Sequence, residues 1–302
     1  MILSIIVNIK NLEDLVEKCV NSISYSLRNC DPNDYEVLLI DDNSTDRTEN
    51  ILKKYVNHHP SFHYNKVFFN NVGKARKYAI SLCKGDYITF IDGDDFFSDF
   101  DMLDIFTILN KEEPDLFITK IQEVFNEKQI IKEQGKIEYR TESKDEIISE
   151  FLIHKKFQAH LCSKFFLRAI MLKIEFPDVF CYEDAFFFPK YLNLSNKFLY
   201  SDNILYNYIK HQGSLSNNLS KEKIELMAKA ILSMQEIFPE KYINLNISHC
   251  IIHLYKYKTE LSSDTVNKLK YKINKINLIK FIFDKSIKIS IKKRYLRIKF
   301  IK

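Results

Sequence analysis

Apolar residues change their spacing several times over the first hundred positions. Leu3 to Val7 is an unbroken apolar run, the pattern of a strand buried on both faces. Leu12, Leu15, Val16, Cys19, Val20, Ile23 and Leu27 then recur at helical intervals. Tyr35 to Ile40 is a second short run, closed by Asp41 and Asp42. Asp46 with Glu49 reads as a capping box ahead of Ile51, Leu52 and Tyr55. His63 to Phe69 predicts a strand, Lys74 to Leu82 a helix, and Tyr87 to Ile91 a strand. This alternation predicts an α/β fold, a mostly parallel, doubly wound central sheet flanked by helices. Ligands of such sheets lie beyond the carboxyl ends of the strands.

Beyond Asp95 the periodicity loosens. Leu116 to Lys120 and Gln122 to Phe125 predict strands, and Glu146 to Ile153 a short helix. Phe198 to Ser201 and Leu205 to Ile209 predict two strands around a turn at Asp202 and Asn203. From Ser220 the pattern is helical to the end. We divide the chain at that change: a catalytic unit over 1–219, with a nucleotide-binding half at 1–100 and an acceptor-binding half at 101–219, then a helical extension over 220–302.

A hydrophobic share of 46% and a charged share of 28% across 302 residues are those of an ordinary globular protein. Six scattered cysteines show no CxxC pair, which argues against a structural zinc site and for buried thiols in a reducing compartment. No stretch reaches the roughly 20 apolar residues of a spanning helix, and Ile2 to Val7 is too short for a secretory signal, so a cytoplasmic location is expected. Of 45 basic and 40 acidic residues, Lys268 to Lys302 holds 13 basic and one acidic, leaving 32 against 39 elsewhere. An acidic body with a basic tail predicts that the tail has a partner of its own.

The densest chemistry lies at the strand ends. Tyr87 to Ile91 runs straight into Asp92, Gly93, Asp94 and Asp95. Gathering three carboxylates in four positions costs several kcal/mol unless a cation or hydrogen-bond donors offset it. Hard oxygen donors suit Mg²⁺ or Mn²⁺, with a bound diphosphate completing the shell. The alternative is an acidic surface turn with capping duty. Asp41 and Asp42 end a buried strand in the same manner; they could accept from a nucleobase N–H or ribose hydroxyls, or cap the next helix. Lys74 and Arg76 bring cations to the same edge, either for a nucleotide or as a solvated helix face. Three of the chain's five glycines, Gly73, Gly85 and Gly93, fall in this one segment.

Four motifs in order carry a resemblance: Leu3 to Val7, Ile40 to Asp46, Asn71 to Gly73 with Ala75 and Arg76, and Gly85 to Ile88 through Asp92 to Asp95. Over the first hundred residues the chain resembles family 2 inverting glycosyltransferases of the GT-A fold, of the bacterial capsule and lipooligosaccharide type. The resemblance implies a nucleotide-sugar site made by Val7, Asn8, Asp41, Asp42, Arg76, Asp92 and Asp94, a divalent metal on Asp94 and Asp95, and a UDP-sugar donor. Further on, Glu183 and Asp184 resemble the family's Glu-Asp motif beside the acceptor, which implies Asp184 as general base with Glu183 as helper. Flanking by Tyr182 and Phe186 to Phe188 predicts a partly desolvated carboxylate, hence a stronger base; the alternative is an N-cap pair on an aromatic core helix. The segment from Asn207 to Ser216 resembles a basic stretch of capsular members and implies His211 near the metal. Two departures stand out: Asn8 to Asn11 lacks the usual aromatic-Asn step, and Ala185 replaces the usual Trp.

The expected reaction is metal-assisted inverting transfer of a hexose or N-acetylhexosamine to a hydroxyl of a saccharide or lipid-linked acceptor. One rival is a nucleotidyltransferase acting on a sugar phosphate, though Met1 to Asp34 contains no glycine for a triphosphate loop. Another is a silent UDP-sugar-binding protein. In the tail, apolar residues such as Leu278, Phe281, Ile289, Tyr295 and Phe300 interleave with the basic ones. That pattern predicts peripheral contact with anionic lipid, with packing on the catalytic unit as the alternative. No nucleic-acid-binding motif is present.

Overall fold

A computed structural model of the chain describes residues 1–125, 135–210 and 219–300. The amino-terminal half alternates as expected: β1 (Leu3–Ile9), α1 (Val16–Ser26), β2 (Tyr35–Asp42), α2 (Thr48–His58), β3 (Phe62–Val67), α3 (Val72–Leu82) and β4 (Tyr87–Asp92). β2 is buried at every position and β1 at every position but Asn8. That is why both read as unbroken apolar runs. The capping box expected at Asp46 is not formed. Asp46 instead accepts from the Thr48 and Glu13 amides, and Glu49 ion-pairs with Lys53 and Lys66.

The chain continues through β5 (Phe96–Phe97), α4 (Met102–Glu112), β6 (Leu116–Val124), β7 (Arg140–Glu142), α5 (Lys144–Ile153), β8 (Lys164–Leu167), α6 (Arg168–Met171), α7 (Glu183–Leu194) and β9 (Phe198–Ile209). Among the described residues nine strands form one sheet, in the order β3-β2-β1-β4-β8-β6-β9-β5, with β7 also on β9. The β3-β2-β1-β4 half is parallel; β8 runs antiparallel to β4 and β6, so the sheet is mixed. Two pairs of expected strands are each one strand. β6 absorbs its irregularity as register shifts against β9 between Ile118 and Ile121. β9 runs through the expected turn because Lys120 and Arg140 hold the Asp202 carboxylate, while Asn203 accepts from the Glu138 amide.

Apolar side chains cover both faces of the sheet. One core joins Val7, Val16, Val37, Ile91 and Phe106; the other joins Ile6, Leu38, Phe90, Phe187 and Tyr191. α8 (Lys221–Met234), α9 (Ile243–Tyr257), α10 (Ser263–Asn274), α11 (Leu278–Phe283) and α12 (Ile289–Phe300) follow, with a short 3-10 turn before α9. These helices build a third core around Ala228, Cys250, Leu269, Phe281 and Tyr295. The tail thus packs inward through Phe281 and Tyr295, while Phe283, Ile289 and Phe300 stay exposed. Among the described residues no helix is long and apolar enough to cross a membrane.

Candidate active site

The carboxyl ends of β1, β2 and β4 lie side by side, with Asn8 across from Ile40 on one side and Asp92 on the other. Both atoms of the Asn8 side-chain amide are buried without a hydrogen-bond partner. Such orphaned polar groups are rare in folded proteins and call for a functional explanation. Val7, expected beside it in the nucleotide site, has its side chain in the core and its backbone paired with both neighbouring strands.

Asp41 and Asp42 brace the rim. Asp41 accepts from the Ser44 amide at 2.9 Å and the Tyr64 hydroxyl at 2.8 Å. Asp42 accepts from the amides of Phe69, Asn70 and Asn71 at 2.7 to 2.8 Å, clamping the loop into α3. Asn43 and Asn70 flank these clamps with positive φ (65° and 48°), a conformation asparagine tolerates better than most residues.

Arg76 is the hub. It projects from α3 and is buried, with its Nη2 donating to Asp92 Oδ1 at 2.6 Å and its Nη1 to Glu183 Oε1. The guanidinium also stands 5.7 Å from the Phe90 ring centre. Burial works against its charge, but Asp92 and Glu183 outweigh that and hold its pKa above the ordinary arginine value. Burial pushes the Glu183 carboxyl up to about 7, opposed by Arg76. One guanidinium thereby ties the end of β4 to the start of α7, whose Glu183 lies 107 residues beyond Arg76 in the chain.

Local geometry makes that approach possible. The first turn of α3 lies so close to the 177–179 loop that a Cβ on Gly73 would sit 2.5 Å from the Val179 carbonyl oxygen. The Gly73 amide donates to that same oxygen at 3.2 Å. The loop then delivers Tyr182, which precedes α7 with φ of 60°, a strained left-handed conformation for an aromatic residue. Asp184 follows on the first turn, its side chain 20% exposed, with His160 Nδ1 3.6 Å from Oδ2. A bridge between Phe90 and Cys162 lays the segment carrying His160 against β4. Lys164 reaches back to the His160 carbonyl between the Phe157 and Phe188 rings, where burial lowers its pKa to about 8.

Asp95, expected as a metal ligand, is buried beneath the rim. Its oxygens accept from the Tyr206 hydroxyl at 2.6 Å and the Ile209 amide at 2.7 Å, and it is 1% exposed. Burial, with Asp94 and Asp92 nearby, pushes its carboxyl up to about 9. Tyr206 in turn accepts from the Asp92 amide at 3.1 Å. His211 lies outside the described residues. Among the described residues no group of three or more His, Cys, Asp or Glu side chains is placed to hold a metal ion. The half-buried Asp92 and Asp94 remain on the rim. A pair of carboxylates matches Mg²⁺-like ions, which take one or two carboxylates and complete their shell with substrate phosphates and water.

The structure thus brings Asn8, Asp41, Asp42, Arg76, Asp92, Asp94, Glu183 and Asp184 to one sheet edge. His160, Cys162 and Tyr206 join them without any signal of spacing in the sequence. The mixed sheet flanked by helices, with acidic strand ends, fits the GT-A fold expected from the sequence. The chain belongs to glycosyl transferase family 2, whose sequence profile matches residues 4–173. Staphylococcus aureus TarS 1-349, solved in complex with UDP-GlcNAc, shares the fold with a TM-score of 0.71 at 20% identity, over 92% of this chain and 82% of that one. The poly(ribitol-phosphate) beta-glucosyltransferase of Bacillus spizizenii is 29% identical over 124 residues, 40% of this chain and 19% of that protein. The chondroitin synthase of Escherichia coli is 34% identical over 95 residues, 32% of this chain and 13% of that protein.

Proposed function

We propose that this chain transfers a sugar from a UDP-sugar to a hydroxyl of a growing surface glycan, such as a capsule or lipooligosaccharide, with inversion at the anomeric carbon. The observation that carries the reading is the Arg76 bridge between Asp92 and Glu183, which seats Asp184 beside the strand ends. The fold likeness to TarS with UDP-GlcNAc supports the choice of donor class.

In this reading Asp184 takes the proton of the acceptor hydroxyl as its oxygen bonds to the anomeric carbon and the bond to the UDP oxygen breaks. General-base action of this kind contributes about 10²–10⁴-fold. Arg76 orients Asp92 toward the donor, and Glu183 fixes the first turn of α7. Asp94 with Asp92 would hold a Mn²⁺ or Mg²⁺ ion, which would offset the charge developing on the departing diphosphate. The exposed Phe283, Ile289 and Phe300, interleaved with lysines, would rest on an anionic membrane surface at the cytoplasmic face.

The test is a panel of UDP-sugars with Mn²⁺ and the purified chain. Free UDP from one of them supports the transferase. Pyrophosphate from a nucleoside triphosphate, with no UDP released from any sugar, would favour a nucleotidyltransferase and overturn the reading.

A further inference from the structure

A cavity of about 610 Å³ lies between the catalytic unit and the carboxyl-terminal helices. Asp184, Tyr182 and His160 line it from the α7 side, and Lys288 and Arg294 from the tail. Most of the remaining wall is aliphatic, with Met227, Ile231, Met234 and Leu245 from α8 and α9. That size is ordinary for a site enclosing a small molecule, and an apolar lining with few convergent polar groups is its usual composition.

The charge on the wall is one-sided. Among the described residues lining it, Asp184 is the single carboxylate, facing two permanent cations. Four histidines also line it, His154, His160, His249 and His253. Burial pushes His249 down to about 4 and lowers His154 and His253, while the ring nitrogens of His249 and His253 bond the Leu152 and Ile224 carbonyls. Arg294, which lies 5.4 Å from the Tyr255 ring centre, reaches the wall from α12. A hydrated glycan alone gains little from such a wall, whereas a hydrocarbon chain ending in a phosphate matches both its parts.

We propose that this cavity holds the apolar portion of an amphiphilic acceptor, an isoprenoid-type phosphate whose anion pairs with Lys288 and Arg294 and whose hydroxyl-bearing sugar meets Asp184. The assignment rests on the reading of Asp184 as the base, and it adds an acceptor class and two further binding residues, both supplied by the tail. The basic segment then serves the acceptor from inside the fold, by way of residues other than its exposed apolar ones.

Farnesyl phosphate titrated into the full chain by calorimetry tests this directly. One equivalent is expected to bind. A double variant, Lys288→Ala with Arg294→Ala, weakens it about tenfold through loss of charge-assisted contacts. Ser290→Trp, at an exposed position on the cavity wall, blocks it by filling the space, with circular dichroism confirming the fold. No binding of farnesyl phosphate, equal affinity for inorganic phosphate, or unchanged affinity in Ser290→Trp would each overturn the proposal. UDP titrated with Mn²⁺ separates the two readings. UDP binding without farnesyl phosphate binding removes the cavity assignment alone, and the reverse removes the donor assignment while leaving the cavity.

Discussion

Arg76→Met removes the one cation between Asp92 and Glu183 while keeping most of the side chain's packing against Phe90. Deleting one partner of a buried ion pair costs about 3–5 kcal/mol, because the other charge is left desolvated and unpaired. Here two carboxylates lose their partner, and Glu183 is the more deeply buried. The cost depends on pH, and its sign can be worked out. Burial already raises the Glu183 carboxyl from 4.5 to about 7, so its contribution to stability is complete below about 4.5 and is lost as pH rises through 7. Arg76 opposes that rise, so in the variant the Glu183 pKa climbs further and the loss deepens. The variant is therefore expected to be destabilised by about 3–5 kcal/mol at pH 8 and by clearly less at pH 5. Urea unfolding followed by far-ultraviolet circular dichroism, with chelator present, measures both values. The chain contains no tryptophan, so its fluorescence is a poorer probe. A deficit below about 1 kcal/mol at pH 8, the size of an exposed pair, would refute the reasoning, as would an equal deficit at both pH values.

The remaining predictions bear on chemistry and assembly. Asp184→Asn should retain UDP affinity and lose about 10²–10⁴-fold in turnover, read as UDP release; retained turnover would remove Asp184 from the mechanism. Asp94→Ala should weaken Mn²⁺-dependent UDP binding by about tenfold or more, and calorimetry with and without Mn²⁺ gives the comparison. Gly73→Ala forces the 177–179 loop away from α3, so it should lower both turnover and thermal stability, the latter by about 1–3 kcal/mol. Replacing Phe283 and Ile289 by serine should reduce flotation with anionic liposomes and leave the melting temperature nearly unchanged; equal flotation would dismiss the membrane contact.

The parallel half of the sheet was legible because its strands are buried on both faces and end abruptly in carboxylates. β1, β2 and β4 therefore stood out by composition alone, and so did the residues at their ends. β8 was not legible: it is four residues long, begins with Lys164, and owes its place to pairing with β4 and β6. β9 read as two strands because Asp202 and Asn203 favour turns, whereas cross-strand partners from β6 and the loop before β7 override that preference here. His160 carries no local signal, since only the fold brings it to Asp184. The spacing of Asp95 is that of a ligand, and the sequence carries no sign of its burial against Tyr206.

The third core has a consequence for how such a chain can diversify. Its helices pack mainly on one another, and the family profile stops at residue 173, before α7 begins. Drift in α8 to α12 can therefore reshape the chamber next to Asp184 without disturbing the strand ends opposite.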